Sequence, residues 1–112
     1  MTIKLTYLVV VDIQKGYNLL KITVRFYGVA YEAAGVREWS RGVPVGLVVG
    51  DLLGLLVAVF PGLGKLVFDD EGVLREYLGV WVNGRDILGL NGYDTKLHGG
   101  DIVYIVPPIG GG

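Results

Sequence analysis

No cysteine occurs among the 112 residues, and histidine, serine and methionine occur once each. Without cysteine there is no disulfide, no thiolate metal site and no sulfur nucleophile. Charge of one sign is not in excess either, since ten Lys+Arg stand against eleven Asp+Glu. No basic block or aromatic–basic interleaving appears, which argues against nucleic acid as a partner, and nothing supports binding to a membrane surface. Long hydrophobic runs are missing as well. The stretch Leu52 to Phe60 is too short, and too broken by Gly54, to cross a bilayer. Tyr7 to Val11 ends at Asp12 and has no basic segment before it, so a signal peptide is not expected and the protein is read as cytoplasmic.

What remains is apolar and rich in glycine: 52% of residues are hydrophobic and 19 are glycine. A chain of this length fits one domain with a core that needs no covalent staples. Apolar surface beyond what that core absorbs is expected to meet a protein partner.

A search for catalytic side chains comes back empty. His98 lies between Leu97 and two glycines with no serine or carboxylate at a telling spacing, so it reads as a surface loop residue rather than a general base. Ser40 has no nucleophile-elbow setting. The glycines form neither a phosphate-binding loop nor a dinucleotide fingerprint. Asp69-Asp70-Glu71 reads as a solvated acidic turn rather than a metal site, because no other ligand-type residue stands near it. The chain is therefore not expected to be an enzyme on its own.

The hydrophobic pattern predicts an α+β domain. Lys21 to Tyr27 alternates, with Ile22, Val24 and Phe26 on one side, and predicts a half-buried strand. Gly28 to Gly35 interrupts it, and Glu38 to Val45 returns as a weaker strand. Leu52, Leu55, Leu56, Val59 and Phe60 then share one face of a helix from Gly50 to Phe60, closed by Pro61-Gly62. Gly62 to Gly72 reads as irregular, Tyr77 to Val82 as a strand, and Asn83-Gly84 as a tight turn that returns Arg85 to Leu88 antiparallel. Leu90 to Gly100 reads as a loop. Asp101 to Val106 is the last strand, apolar on both faces and so expected at the centre of the sheet, parallel to the first. The expected architecture is a mixed sheet packed on one main helix.

The end of the chain is the most informative part. After the last strand come Pro107-Pro108-Ile109-Gly110-Gly111-Gly112. Proline has no N–H to continue a ladder, so two in succession stop sheet pairing and favour a semi-extended exit. Glycines without Cβ can thread a narrow channel in another protein, and six extended residues reach roughly 20 Å. Such an arm suits a terminal carboxylate that other enzymes couple to a leaving group and pass on. The expected organisation is thus residues 1–20 as an N-terminal extension, 21–106 as the domain, and 107–112 as the arm.

Leu97-His98-Gly99-Gly100-Asp101 and the apolar strand ending in Pro-Pro and terminal glycines resemble the closing pattern of the MoaD/ThiS family of sulfur carriers. Val24-Arg25-Phe26-Tyr27, Glu32-Ala33-Ala34-Gly35, Gly50-Asp51-Leu52-Leu53 and Val82-Asn83-Gly84 are similar to its other conserved stretches. The resemblance is nearest to the small subunit of molybdopterin synthase, in its archaeal form. It implies a ubiquitin-like β-grasp fold and a cycle in which an E1-like, MoeB-like enzyme uses ATP to adenylate Gly112. A sulfur donor then makes the thiocarboxylate, which gives its sulfur to cyclic pyranopterin monophosphate inside a MoaE-like large subunit. No cofactor or metal would be bound by this chain itself. By the same resemblance Pro107, Pro108, Ile109, Gly110 and Gly111 thread the partner, and Tyr27, Val106 and Ile109 are candidates for its interface. Two other readings share the motif: a ubiquitin-like modifier joined through Gly112 to lysines, and a thiazole-pathway sulfur carrier. Departures from the pattern fall at Ala30-Tyr31-Glu32, at Val106 where an aromatic is usual, and at Val49 where a capping Thr or Ser is usual.

Overall fold

The computed structural model describes residues 19–76 and 78–108. The extension ahead of Leu19, Tyr77, and the arm from Ile109 to Gly112 lie outside the described residues.

Five strands form one mixed sheet. They are β1 (Leu19–Phe26), β2 (Glu38–Pro44), β3 (Gly79–Val82), β4 (Arg85–Asp86) and β5 (Ile102–Val106). Their spatial order is β2-β1-β5-β3-β4. β1 and β5 are parallel neighbours at the centre, with Val24 opposite Val103 and Phe26 opposite Ile105. The expected central position of the last strand is therefore observed. β1 begins at Leu19, so two residues assigned to the extension belong to the sheet.

One face of this sheet is the core. Ile22, Val24, Phe26, Val80, Val82, Val103 and Ile105 alternate inward and are buried. Over them lies helix α2 (Val49–Val59), which buries Val49, Leu52, Leu53, Leu55 and Leu56. Each fully buried leucine contributes roughly 1.5–3 kcal/mol relative to exposure. Leu53 is buried as well, although it falls outside the predicted stripe.

The segment from Gly28 to Gly35, expected only as an interruption, contains a short helix α1 (Gly28–Ala34) that ends on a left-handed Gly35 at φ 80°. Seven residues with one buried side chain, Ala30, give too little periodicity to be seen in the sequence. Gly62 to Gly72 is likewise less irregular than expected: a 3₁₀ turn at Pro61–Leu63 runs into α3 (Gly64–Val67). Leu90 to Gly100 contains a 3₁₀ turn at Gly92–Asp94.

The cap of α2 also differs from expectation. Val48 is the capping residue and Val49 the first helical one, with no side-chain cap. A neighbouring segment takes over, as the Val49 N–H donates to the Thr95 carbonyl at 2.9 Å and the Leu97 N–H to the Leu47 carbonyl at 3.0 Å. An orphan donor at the helix start is thus satisfied by tertiary backbone pairing.

Candidate functional site

The far face of the sheet carries no helix among the described residues, and its chemistry changes from one end to the other. Toward the start of β1 it is polar, with Lys21 and with Thr23 hydrogen-bonded to Ser40 at 2.9 Å. Toward the C-terminal arm it turns aromatic. One transverse row takes a residue from every strand: Glu38 opposite Arg25, Arg25 opposite Tyr104, Tyr104 opposite Trp81, and Trp81 opposite Asp86. Arg25 donates to Glu38 at 3.0 Å, and its guanidinium lies 6.0 Å from the Tyr104 ring centre. Tyr27 stacks on Tyr104 with ring centres 6.1 Å apart.

Tyr27, Trp81, Gly84, Tyr104 and Val106 line an open groove of about 470 Å³ on this face. Tyr27 is 42% exposed, Trp81 39% and Val106 38%. Val106 therefore lies outside the core. Three such side chains converging on one concave, apolar patch are unusual for a surface that stays wet.

The groove adjoins the root of the arm. β5 ends at Val106, which is paired with Gly79 of β3. Pro107 is buried and Pro108 exposed, so the chain turns outward after Pro107 rather than at it. Ile109, Gly110, Gly111 and Gly112 lie outside the described residues.

The strand bearing the arm is fixed at its other end by a polar clasp. Asn83 adopts φ 50° and Gly84 φ 85°, both left-handed as the expected tight turn requires. The Asn83 side chain donates to Asp101 Oδ1 at 2.7 Å, and its Oδ1 accepts the Ile102 N–H at 2.9 Å. Asp101, only 7% exposed, also accepts the His98 N–H at 2.7 Å. The Asp101 carboxylate thus ties the β3–β4 turn to the start of β5. Nothing in the sequence spacing pointed to this pair, because 18 residues separate them.

The other sequence candidates are not gathered into a site. The His98 side chain is 78% exposed, and its Nδ1 stands 3.9 Å from Asp101. Asp69 accepts the N–H groups of Glu71 and Val73 at 2.9 and 3.0 Å, and these bonds, the one from Val73 foremost, hold its carboxyl below the usual range. The acidic trio is thus a turn closed on itself. Among the described residues no three His, Asp or Glu side chains could hold a metal ion, and no helix is long and apolar enough to cross a membrane.

Known proteins bear on this arrangement. The sequence model of the ThiS family matches residues 24–112. Small archaeal modifier protein 3 of Haloferax volcanii is 33% identical over 94 residues, which are 83% of this chain and all of that protein. The crystal structure of small archaeal modifier protein 1 from Haloferax volcanii superimposes with a TM-score of 0.73 at 29% identity, covering 82% of this chain and 99% of that one. A protein of Pyrococcus furiosus, provisionally named molybdopterin converting factor, subunit 1, gives 0.65 at 26% identity over 80% of this chain and 99% of its own. The mixed five-stranded sheet is thus the ubiquitin-like β-grasp fold. The chain belongs to the ThiS family of β-grasp sulfur carriers.

Proposed function

We propose that this protein is the sulfur-carrier small subunit of a molybdopterin synthase, with the Gly112 carboxylate as the group loaded and discharged. The observation that carries the reading is the apolar groove lined by Tyr27, Trp81, Tyr104 and Val106 at the root of a Pro-Pro-glycine arm. A carrier needs a surface for its enzymes to grip and a terminus they can reach, and little else.

The chemistry then belongs to the partners. An E1-like adenylating enzyme joins the carboxylate to AMP and releases pyrophosphate. A donor persulfide attacks the acyl carbon and expels AMP, and a second thiol reduces the resulting acyl disulfide to leave the thiocarboxylate. Inside the large subunit this sulfur passes to cyclic pyranopterin monophosphate, and water returns the carboxylate. Tyr27 and Val106, on the groove, and Ile109, in the arm sequence, are assigned to the interface with the large subunit.

A second reading has its own support, because the relatives of Haloferax volcanii are named as modifiers. As a modifier the same acyl adenylate would meet a lysine amine and form an isopeptide bond. Intact-mass analysis of the protein from its native host separates the two. Replacement of one oxygen by sulfur at Gly112 supports the carrier, and glycine remnants on lysines of other proteins support the modifier. Recovery of the free carboxylate alone, with no remnants, from cells making molybdopterin would defeat both.

A further inference from the structure

We infer that Gly79 is a positioning residue for the C-terminal arm, a role that rests on the carrier reading above. Gly79 is the first residue of β3, and its partner across the ladder is Val106, the last residue of β5 before the arm. A Cβ built on Gly79 would stand 2.2 Å from the Val106 carbonyl oxygen and 3.7 Å from the Val106 Cβ. The first contact is with backbone, which cannot swing aside as the end of a long side chain could. Any side chain at position 79 therefore moves the Val106 carbonyl, or strand β3, by at least about 1 Å before ordinary contact is restored.

That displacement falls where it matters. Pro107 follows at once, buried and with no N–H to hold it in the sheet, so the direction in which the arm leaves is set by the Val106 peptide. Pro107 and Pro108 pair with no strand that would correct an error made there. A shift of about 1 Å at a reacting group can cost on the order of a hundredfold in rate. The absence of a side chain at Gly79 thus lets β3 close on β5 up to the last residue before the prolines and hold the launch point of Gly112 in place.

The test uses a matched control. Among the described glycines Gly62 too has a Cβ position that would strike a neighbouring backbone oxygen, that of Ala33 at 2.6 Å, and it lies in the turn after α2 rather than in a strand beside Val106. Gly79→Ala, Gly62→Ala and the parent chain are compared for adenylation by the E1-like enzyme with ATP, below the melting temperatures of all three. We expect kcat to fall about tenfold or more for Gly79→Ala with KM for the carrier within about twofold, and Gly62→Ala to behave as the parent. Amide shifts of Ile109 and Gly110 should move in Gly79→Ala and stay in Gly62→Ala. Equal loading and unmoved shifts in both variants would overturn the assignment, as would a change in KM alone. Failure of the parent to be loaded by any such enzyme counts against the carrier reading instead, and the amide shifts still judge Gly79. If Gly79→Ala does not fold, Pro107→Gly, which frees the arm's direction with Gly79 intact, should show the same loss in kcat, and parent-like loading would overturn the idea.

Discussion

Asp101 holds more of this fold in place than its solitary carboxylate suggests. It accepts from the Asn83 side chain and from the His98 N–H, and it is nearly buried. Replacing it with alanine removes both of these hydrogen bonds, and a hydrogen bond to a charged group typically contributes about 1.5–3 kcal/mol. Asp101→Ala should therefore lower the free energy of unfolding by about that amount and shift the denaturant midpoint down accordingly, while an exposed carboxylate such as Asp70 changed to alanine should have little effect. Chemical denaturation followed by tryptophan fluorescence reads the difference. Residues differ in how far their roles could be read in advance. Asn83-Gly84 announced its turn because left-handed backbone at two adjacent positions strongly restricts residue choice. The partnership of Asn83 with Asp101 could not be read, since a hydrogen bond between residues 18 apart leaves no mark on local composition. His98 and Ser40 read as non-catalytic in the sequence; in the structure the Asp101 carboxylate stands 3.9 Å from His98 Nδ1, and Ser40 is hydrogen-bonded to Thr23.

Among the elements, β1, α2 and β5 were legible and α1 was not, for one physical reason. An element shows in sequence when its period places several apolar residues on one buried face, as Ile22, Val24 and Phe26 do in β1. α1 buries only Ala30, so the rest of it obeys no pattern. The start of α2 is a related case, because Val48 and Val49 offer no side-chain oxygen for a cap. Pairing of Val49 with Thr95 satisfies the helix from outside, and the pairing follows from the tertiary fold. The middle of α2 is where stability concentrates. Leu56 is wholly buried, so Leu56→Ala should cost about 2–5 kcal/mol through lost transfer energy and the cavity left behind. Thermal melts would show it as a clear drop in midpoint. A similar truncation at Leu88, which is 79% exposed, should leave the midpoint almost where it was.

On the proposed carrier reading the whole molecule divides its labour between a sheet face that is gripped and an end that reacts, and the two should fail separately. Trp81 stands in the groove with 39% of its surface exposed and none of it needed to fill the core. Trp81→Glu places a charge where an apolar partner surface would be buried, so affinity for the activating enzyme should fall, with KM for the carrier rising about tenfold or more. Adenylation at saturating carrier should stay near the parent rate, because the arm and its root are untouched. Deleting Gly112 should do the reverse. Among the described residues every member of the buried core lies between Ile22 and Ile105, so the shortened chain should melt within about 1 °C of the parent and compete with it for the enzyme at similar affinity. It should accept no adenylate, since its last carboxylate ends one residue, roughly 3.3 Å, short of the reacting position. Steady-state kinetics with each variant as substrate, and with the deletion as inhibitor, measure all four quantities. If the deletion chain were loaded at the parent rate, the terminal carboxylate would not be the reactive group and the division between grip and reaction would collapse. If Trp81→Glu left KM unchanged, the groove would have no part in docking, and the partner would have to recognise the arm alone.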